Sequence, residues 1–162
     1  MRGKPVPSLV QLPRPQFLPQ APNSYLLLYP FYLTDFDHLV TAAKAVRERA
    51  HAPHSHFKVG CAIEDENGRI FTGCNVENAS YGLTLCAERV AVFKAISEGA
   101  GKLRRVAVVA DTPILTPPCG ACRQILWEFC GDAELILENL AGQREALSIK
   151  QLLPRPFDAS FL

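Results

Sequence analysis

The chain has 162 residues, of which 48% are hydrophobic, and its formal net charge at pH 7 is +1. This length favours a single domain with a hydrophobic core, and the balance of 17 Lys and Arg against 16 Asp and Glu argues against a nucleic-acid-binding surface. No apolar run approaches the ~20 residues of a membrane span. Because no secretory signal precedes the six cysteines, they predict a cytoplasmic protein rather than a disulfide framework.

Residues 1–33 differ in composition from the rest of the chain. They contain prolines at positions 5, 7, 13, 15, 19, 22 and 30, and no acidic residue occurs before Asp35. Proline at this density prevents a regular helix or a paired strand. We therefore predict a disordered or extended N-terminal extension over 1–33, followed by a folded domain over 34–162.

A helix and a β-hairpin are predicted at the start of this domain. Thr34, with Asp37 three residues later, suits a helix N-cap, and Pro53 stops the helix. Apolar residues recur between these points at helical spacing, at Phe36, Leu39, Val40, Ala43 and Val46. The period then changes to two, with more polar neighbours between Phe57, Val59, Cys61 and Ile63. Asn67-Gly68 predicts the turn of a hairpin, with residues 69–75 as the returning strand.

Helices and strands alternate in the rest of the chain. A helix over 84–98 is apolar on nearly every face, which predicts a central, buried position. The further predicted elements are a strand over 105–110, a helix over 119–129, strands over 134–137 and 144–147, and a short helix over 148–153. This order predicts an α/β fold, a three-layer α/β/α sandwich with a mixed five-stranded sheet.

Two cysteine motifs predict a zinc site. Cys86-Ala87-Glu88 is followed by Pro118-Cys119-Gly120-Ala121-Cys122. Three cysteines with one carboxylate that is not a ligand form the pattern of zinc enzymes that deaminate nucleobases. Both motifs fall at predicted helix N-termini, where the helix dipole stabilises thiolates. We expect Arg89 to donate to the sulfurs and withdraw charge from them, and the alternative is an ordinary surface ion pair.

The other cysteines leave two alternatives open. In one, Cys61, Cys74 or Cys130 completes a closed structural Cys₄ site, and in the other the C-x-x-C is a redox pair. Neither accounts for Glu88, and we interpret these three cysteines as small buried hydrophobic residues. We interpret three nearby histidines, His51, His54 and His56, as non-ligands.

The order of motifs resembles the small, homotetrameric, zinc-dependent cytidine deaminases that act on free nucleosides. The matching stretches are Ser55 to Gly60, Gly73 to Tyr81, Cys86 to Arg89 and Pro117 to Gln124. The resemblance implies one Zn²⁺ per subunit, held by Cys86, Cys119 and Cys122, with Glu88 as the catalytic proton shuttle. It also implies substrate-binding roles for Phe57 beside the base, for Asn75 and Glu77 at the ribose, and for Ala79, Tyr81 and Phe157, which reach a neighbouring subunit's site.

The function implied by the resemblance is hydrolytic deamination of cytidine and 2′-deoxycytidine, with release of ammonia. The expected partners are a small-molecule nucleoside and three further copies of the chain, with no nucleic acid and no membrane. The alternatives are a deaminase of a cytosine-bearing antibiotic such as blasticidin S or of a polynucleotide, and a non-catalytic zinc module. Asn75 and Glu77 favour a nucleoside sugar, and the near-zero net charge disfavours a phosphate backbone.

Overall fold

The computed structural model describes residues 36–162. The α-helices are α1 (Asp37–Arg47), α2 (Ala87–Ser97), α3 (Gly120–Cys130) and α4 (Ile149–Leu152), and two short 3₁₀ helices span Tyr81–Leu83 and Ala159–Phe161. The strands are β1 (Val59–Asp65), β2 (Ile70–Cys74), β3 (Leu103–Ala110), β4 (Glu134–Asn139) and β5 (Arg144–Ser148). The predicted extension over 1–33 and the predicted cap at Thr34 lie outside the described residues, and Phe36 occupies the N-cap of α1. None of the described helices is long and apolar enough to cross a membrane.

The five strands form one mixed sheet in the order β2-β1-β3-β4-β5, which confirms the predicted fold class. β3 and β4 run parallel and are joined through α3, whereas the other neighbouring pairs are antiparallel. Parallel strands end at the same edge of a sheet, so the chain leaves β3 at Ala110 beside Asn139 at the end of β4. From this edge the chain continues to α3.

Two hydrophobic layers cover the two faces of the sheet. On one face α1 packs with the cluster Phe36, Leu39, Val40, Ala43, Ala62, Ala107, Val109 and Ile136. On the other face α2, α3 and α4 bury a larger cluster that includes Cys61, Ile63, Val92, Leu126 and Ile149. The strand that the period of two indicates is therefore confirmed, but the period does not correspond to one buried and one exposed face. β1 is the second strand of a sheet covered on both sides, and six of its seven residues are buried.

Two glycines allow helices to approach the sheet closely. A Cβ added at Gly73 in β2 would lie 2.4 Å from the Ala91 amide nitrogen and 2.6 Å from the Ala87 carbonyl oxygen, both in α2. A Cβ added at Gly60 in β1 would lie 2.0 Å from the Ala43 carbonyl oxygen in α1. The backbones of α2 and α1 thus rest directly on β2 and β1.

The hairpin between β1 and β2 is confirmed, and a buried carboxylate organises its turn. Asp65 accepts the backbone N–H groups of Asn67, Arg69 and Gly101 at 2.9, 3.0 and 3.1 Å, and Arg69 Nε at 2.9 Å. Burial alone would raise the pKa of Asp65, but these donors lower it to about 2. Gly68 takes the left-handed backbone conformation, at φ 76°, and its N–H donates to the Asp65 carbonyl oxygen at 3.0 Å, so the turn spans residues 65–68. It is not the two-residue Asn-Gly turn that the sequence signals, because that turn needs a positive φ at Asn67 as well.

α2 differs from its prediction both in the residue at which it begins and in how much of its surface is buried. It begins at Ala87 rather than Thr84, because Leu85 forms an isolated antiparallel bridge with Val76 and holds the preceding residues extended. The helix is also not buried on every face, since Phe93 and Ile96 are 42% and 46% exposed in the single chain.

Candidate active site

Three cysteine thiols converge where α2 and α3 begin. Cys86 is the N-cap of α2 and Cys119 the N-cap of α3, and Cys122 lies in the first turn of α3. Their Sγ atoms all lie within 4.8 Å of one another, and the Cys86 and Cys119 sulfurs are 3.9 Å apart. The sequence motifs therefore meet in space, at two helix N-termini whose dipoles favour thiolates.

The donor set of this cluster fits zinc. Two sulfurs bound tetrahedrally at ~2.3 Å from one Zn²⁺ lie about 3.8 Å apart, close to the 3.9 Å separation of Cys86 and Cys119. Among residues 36–162, the cluster contains these three cysteines and no other His, Cys, Asp or Glu side chain. Cys61 and Cys130 are buried elsewhere and Cys74 is half-buried, so no fourth cysteine closes the site. Three protein ligands with an open fourth position are typical of catalytic zinc.

Arg89 lies against the cysteine cluster. Its Nη2 donates to the Thr84 carbonyl oxygen at 2.7 Å and lies 3.7 Å from Cys86 Sγ. A hydrogen bond from the Cys122 thiol, with smaller contributions from Arg89 and Cys119, lowers the pKa of Cys86 to about 5 against the opposing effect of burial. The ion-pair alternative receives no support, because the hydrogen-bond acceptors found for Arg89 are a sulfur and a carbonyl oxygen.

Glu88 is a buried carboxyl beside the cluster. It is the second residue of α2, two positions after Cys86, and is 5% exposed. Burial raises the pKa of Glu88, and the nearby Cys86 thiolate raises it further. A carboxyl whose pKa is moved toward neutrality exchanges protons most effectively near pH 7.

Asn75 connects the two strands of the hairpin beside Phe57. Its Oδ1 accepts the Val59 N–H and its Nδ2 donates to the Phe57 carbonyl oxygen, both at 2.8 Å. The side chain is 7% exposed, whereas Phe57 is 39% exposed. An amide group has two N–H donors and two carbonyl lone pairs, so Asn75 keeps one of each for a ligand.

Glu77 holds the loop that precedes β1. Its Oε2 accepts the backbone N–H groups of His54 and Ser55 at 2.9 and 3.2 Å, and its Oε1 accepts the Ser55 hydroxyl. The Ser55 hydroxyl is the largest cause of the lowered pKa of Glu77. Glu77 directly follows Val76, which pairs with Leu85 at 2.9 and 3.0 Å, and Leu85 directly precedes Cys86. The segment with Asn75 and Glu77 is thus joined to the first cysteine.

The remaining predicted substrate residues lie on the surface of the single chain. Ala79 is exposed, and Tyr81 is 73% exposed with its ring 6.0 Å from the ring of His54. Phe157 is 59% exposed and stacks on Phe161 at 5.5 Å. Such exposure of aromatic rings suits an interface with another molecule.

Several residues near the site were not predicted from the sequence. Arg123 donates to the Pro118 carbonyl oxygen at 2.8 Å and to the Leu152 carbonyl oxygen at 3.2 Å. Gln124 donates to the Phe157 carbonyl oxygen at 2.7 Å. Together they fasten the C-terminal segment to the cysteine-bearing helix α3. The available signal was their position directly after Cys122 within the matching motif.

Comparison with known proteins identifies relatives of the chain. The family model described as "Cytidine and deoxycytidylate deaminase zinc-binding region" matches residues 34–138. A cytidine deaminase from Sporosarcina psychrophila is 47% identical over 124 residues, which cover 76% of this chain and 91% of that protein. A cytidine deaminase from Halalkalibacterium halodurans is 48% identical over 122 residues, which cover 75% and 92% of the two chains.

Solved structures with similar folds carry the same names. The crystal structure of cytidine deaminase from Burkholderia pseudomallei superposes with a TM-score of 0.72 at 47% identity, covering 74% of this chain and 97% of that one. The cytidine deaminase from Mycobacterium tuberculosis superposes with a TM-score of 0.67 at 40% identity, covering 76% and 98%. The sequence relatives and the solved structures thus name the same kind of protein, and the superpositions agree with the fold described above.

Proposed function

Because the chain belongs to the cytidine and deoxycytidylate deaminase family, we propose that it catalyses the zinc-dependent hydrolytic deamination of cytidine and 2′-deoxycytidine. The products are uridine or 2′-deoxyuridine and ammonia. The observation that carries this proposal is that the buried carboxyl of Glu88 accompanies the three-thiol cluster. Glu88 lies in the first turn of α2, the helix that Cys86 caps. A sealed structural zinc site has no use for such a carboxyl.

Cys86, Cys119 and Cys122 would hold the zinc ion. When bound there, zinc supplies an activated water for hydrolysis near neutral pH. Glu88 would accept a proton from the attacking water, whose oxygen adds to C4 of the cytosine ring, and would pass that proton to N3. Glu88 would then carry a second proton from the new C4 hydroxyl to the amino group, which leaves as ammonia. The raised pKa of Glu88 suits both transfers, because the group must be a base and then an acid in one cycle.

Arg89 would moderate the charge of the cluster. Three thiolates on one Zn²⁺ carry a formal charge of −1, which weakens the ion as a Lewis acid. The Nη2 group of Arg89, 3.7 Å from Cys86 Sγ, draws electron density from that sulfur. Its second bond, to Thr84, fixes the guanidinium in this position.

Phe57, Asn75 and Glu77 would bind the nucleoside. The half-exposed ring of Phe57 offers an apolar surface to the base. Asn75 and Glu77 keep hydrogen-bonding capacity for the hydroxyl groups of a neutral sugar. This polar pair favours a free nucleoside over a polynucleotide, as does the net charge of +1.

Neighbouring subunits would complete the pocket in a homotetramer. The exposed Ala79, Tyr81 and Phe157 are available for contact with a second copy, as are the exposed Phe93 and Ile96 of α2. We assign residues 34–162 to the catalytic domain. The six cysteines, all unpaired, suit the reducing cytoplasm.

An ultraviolet assay with purified protein tests this function. The substrates are cytidine, 2′-deoxycytidine, cytosine and dCMP, and the expected result is loss of cytosine absorbance with equimolar ammonia for the two nucleosides. The matched control is Glu88→Gln, which keeps the size of the side chain but cannot carry a proton. Absence of activity of the zinc-loaded wild type on all four substrates would refute the proposal. Turnover of dCMP alone would show that the substrate is the nucleotide rather than the nucleoside.

A further inference from the structure

The hydroxyl of Ser55 lies between two residues proposed to bind the nucleoside. It donates to Glu77 Oε1, and its oxygen accepts the Phe57 backbone N–H at 3.0 Å. Glu77 is proposed to bind the sugar and Phe57 the base. One side chain therefore joins the two ends of the nucleoside pocket.

The backbone at this point has an unusual conformation. His56, between Ser55 and Phe57, has a φ of 57°, which non-glycine residues seldom adopt. Its N–H donates to the Ala52 carbonyl oxygen at 3.1 Å, and the bond from Phe57 to Ser55 closes the turn on the other side. Because such a conformation persists only where the surroundings hold it, the Ser55 oxygen helps to fix the direction in which Phe57 leaves the turn.

Most of the hydrogen-bond acceptor positions of the Glu77 carboxylate are already used within the protein. An ionised carboxylate has about four lone-pair positions, and His54 N–H, Ser55 N–H and the Ser55 hydroxyl use three of them. Both backbone donors bind Oε2, so the bond to Ser55 is the one that orients Oε1. The remaining acceptor position of Glu77 can then face a sugar hydroxyl without the entropic cost of ordering the side chain on binding.

We propose that Ser55 is a positioning residue for nucleoside binding, which holds Glu77 and Phe57 in the binding arrangement before the substrate arrives. The inference rests on the proposed function. Ser55 lies on the loop before β1 and is bonded to neither the thiols nor Glu88 in the described structure, so it acts on binding rather than on proton transfer. Its effect passes mainly through the Glu77 carboxylate.

Steady-state kinetics of the full-length, zinc-loaded protein test this proposal. We expect Ser55→Ala to raise KM for cytidine about 5- to 30-fold with kcat within about twofold, since a lost orienting bond weakens ground state and transition state alike. Ser55→Thr keeps the hydroxyl and should restore KM to within about threefold of the wild type. Ser97→Ala is the matched control, because it removes an exposed serine hydroxyl bond at the far end of α2.

A double-mutant cycle separates positioning through Glu77 from a general structural effect. With Glu77→Ala as the second variant, the double variant should have nearly the KM of Glu77→Ala alone, because residue 77 then has no side-chain hydrogen-bond acceptor left for Ser55 to orient. The proposal would be overturned if Ser55→Ala left KM unchanged, or if it lowered kcat by as large a factor as it raised KM. It would also be overturned if the KM increases of the two single variants multiplied in the double variant. Absence of cytidine turnover in the wild type would instead refute the proposed function, and this inference with it.

Discussion

Gly73→Ala should slow the reaction although residue 73 is not among the residues proposed to bind zinc or substrate. The added methyl group would lie 2.4 Å from the Ala91 nitrogen and 2.6 Å from the Ala87 oxygen. Backbone atoms at these positions cannot rotate away, so α2 must move outward by about 1 Å to reach an ordinary contact distance. Ala87 lies between Cys86 and Glu88, and the displacement therefore reaches the proposed proton carrier and one proposed zinc ligand.

The size of the effect follows from this displacement. A misplacement of ~1 Å costs about 10²-fold in rate when catalytic groups must be precisely placed, so we expect kcat to fall 10- to 100-fold. Overpacking should also lower the free energy of unfolding by about 1–3 kcal/mol. Gly60→Ala is the matched control, because its methyl group would press on the Ala43 oxygen in α1, a helix without any of the proposed zinc or proton-transfer residues.

The assay compares both variants well below their thermal midpoints, with zinc content measured on the same samples. Gly60→Ala should lose a comparable amount of stability while kcat stays within about threefold of the wild type. Wild-type kcat in folded Gly73→Ala would refute the argument that α2 must shift. An equal loss of kcat in both variants would show that general destabilisation, rather than the position of α2, controls the rate.

Three further predictions concern the carboxyls and the metal. Glu88→Gln should lower kcat by about 10²–10⁴-fold while metal analysis still finds one zinc per chain, and a matching loss of zinc would contradict its role as proton carrier. Asp65→Asn should lower the thermal midpoint at pH 7. The pKa of Asp65 is depressed in the folded state, so its contribution is present above the ordinary value of 3.8 and is lost as the pH falls through about 2. Midpoints measured between pH 7 and pH 2 should therefore converge, and a constant difference would argue against the carboxylate. Removal of zinc with a chelator should abolish turnover and added Zn²⁺ should restore it in the wild type, whereas Cys122→Ser should bind zinc weakly and recover little activity.

The convergence of the three cysteines and most of the surrounding helices and strands agree with the sequence-based expectations, and local chemistry explains much of this. The predicted start of α3 at Cys119 differs from the observed start by one residue, and Cys119 occupies the N-cap with extended backbone. The β1–β2 hairpin and the apolar runs of β3 and β4 depend on neighbouring residues alone. The mixed sheet then follows from the order of these elements.

The features that the sequence did not predict depend on distant partners. β1 is buried on both faces because α1 covers one side and α2 the other, which no period within seven residues reveals. Residues 84–86 read as helix, but the bridge from Leu85 to Val76 holds them extended. The left-handed backbone of His56 similarly requires Ala52 and Ser55. The roles of Tyr81 and Phe157 depend on other copies of the chain and stay predictions.

The bridge between Val76 and Leu85 has a consequence for how this enzyme can change. It closes residues 77–84 into a loop whose two ends are fixed against each other, with Glu77 at one end and the approach to Cys86 at the other. The exposed middle of the loop, which carries Tyr81, can therefore vary in sequence without displacing the three cysteines of its own chain. Substitutions in this part of the loop can change the range of substrates and the contacts between subunits, while the residues of the hydrolytic site stay the same.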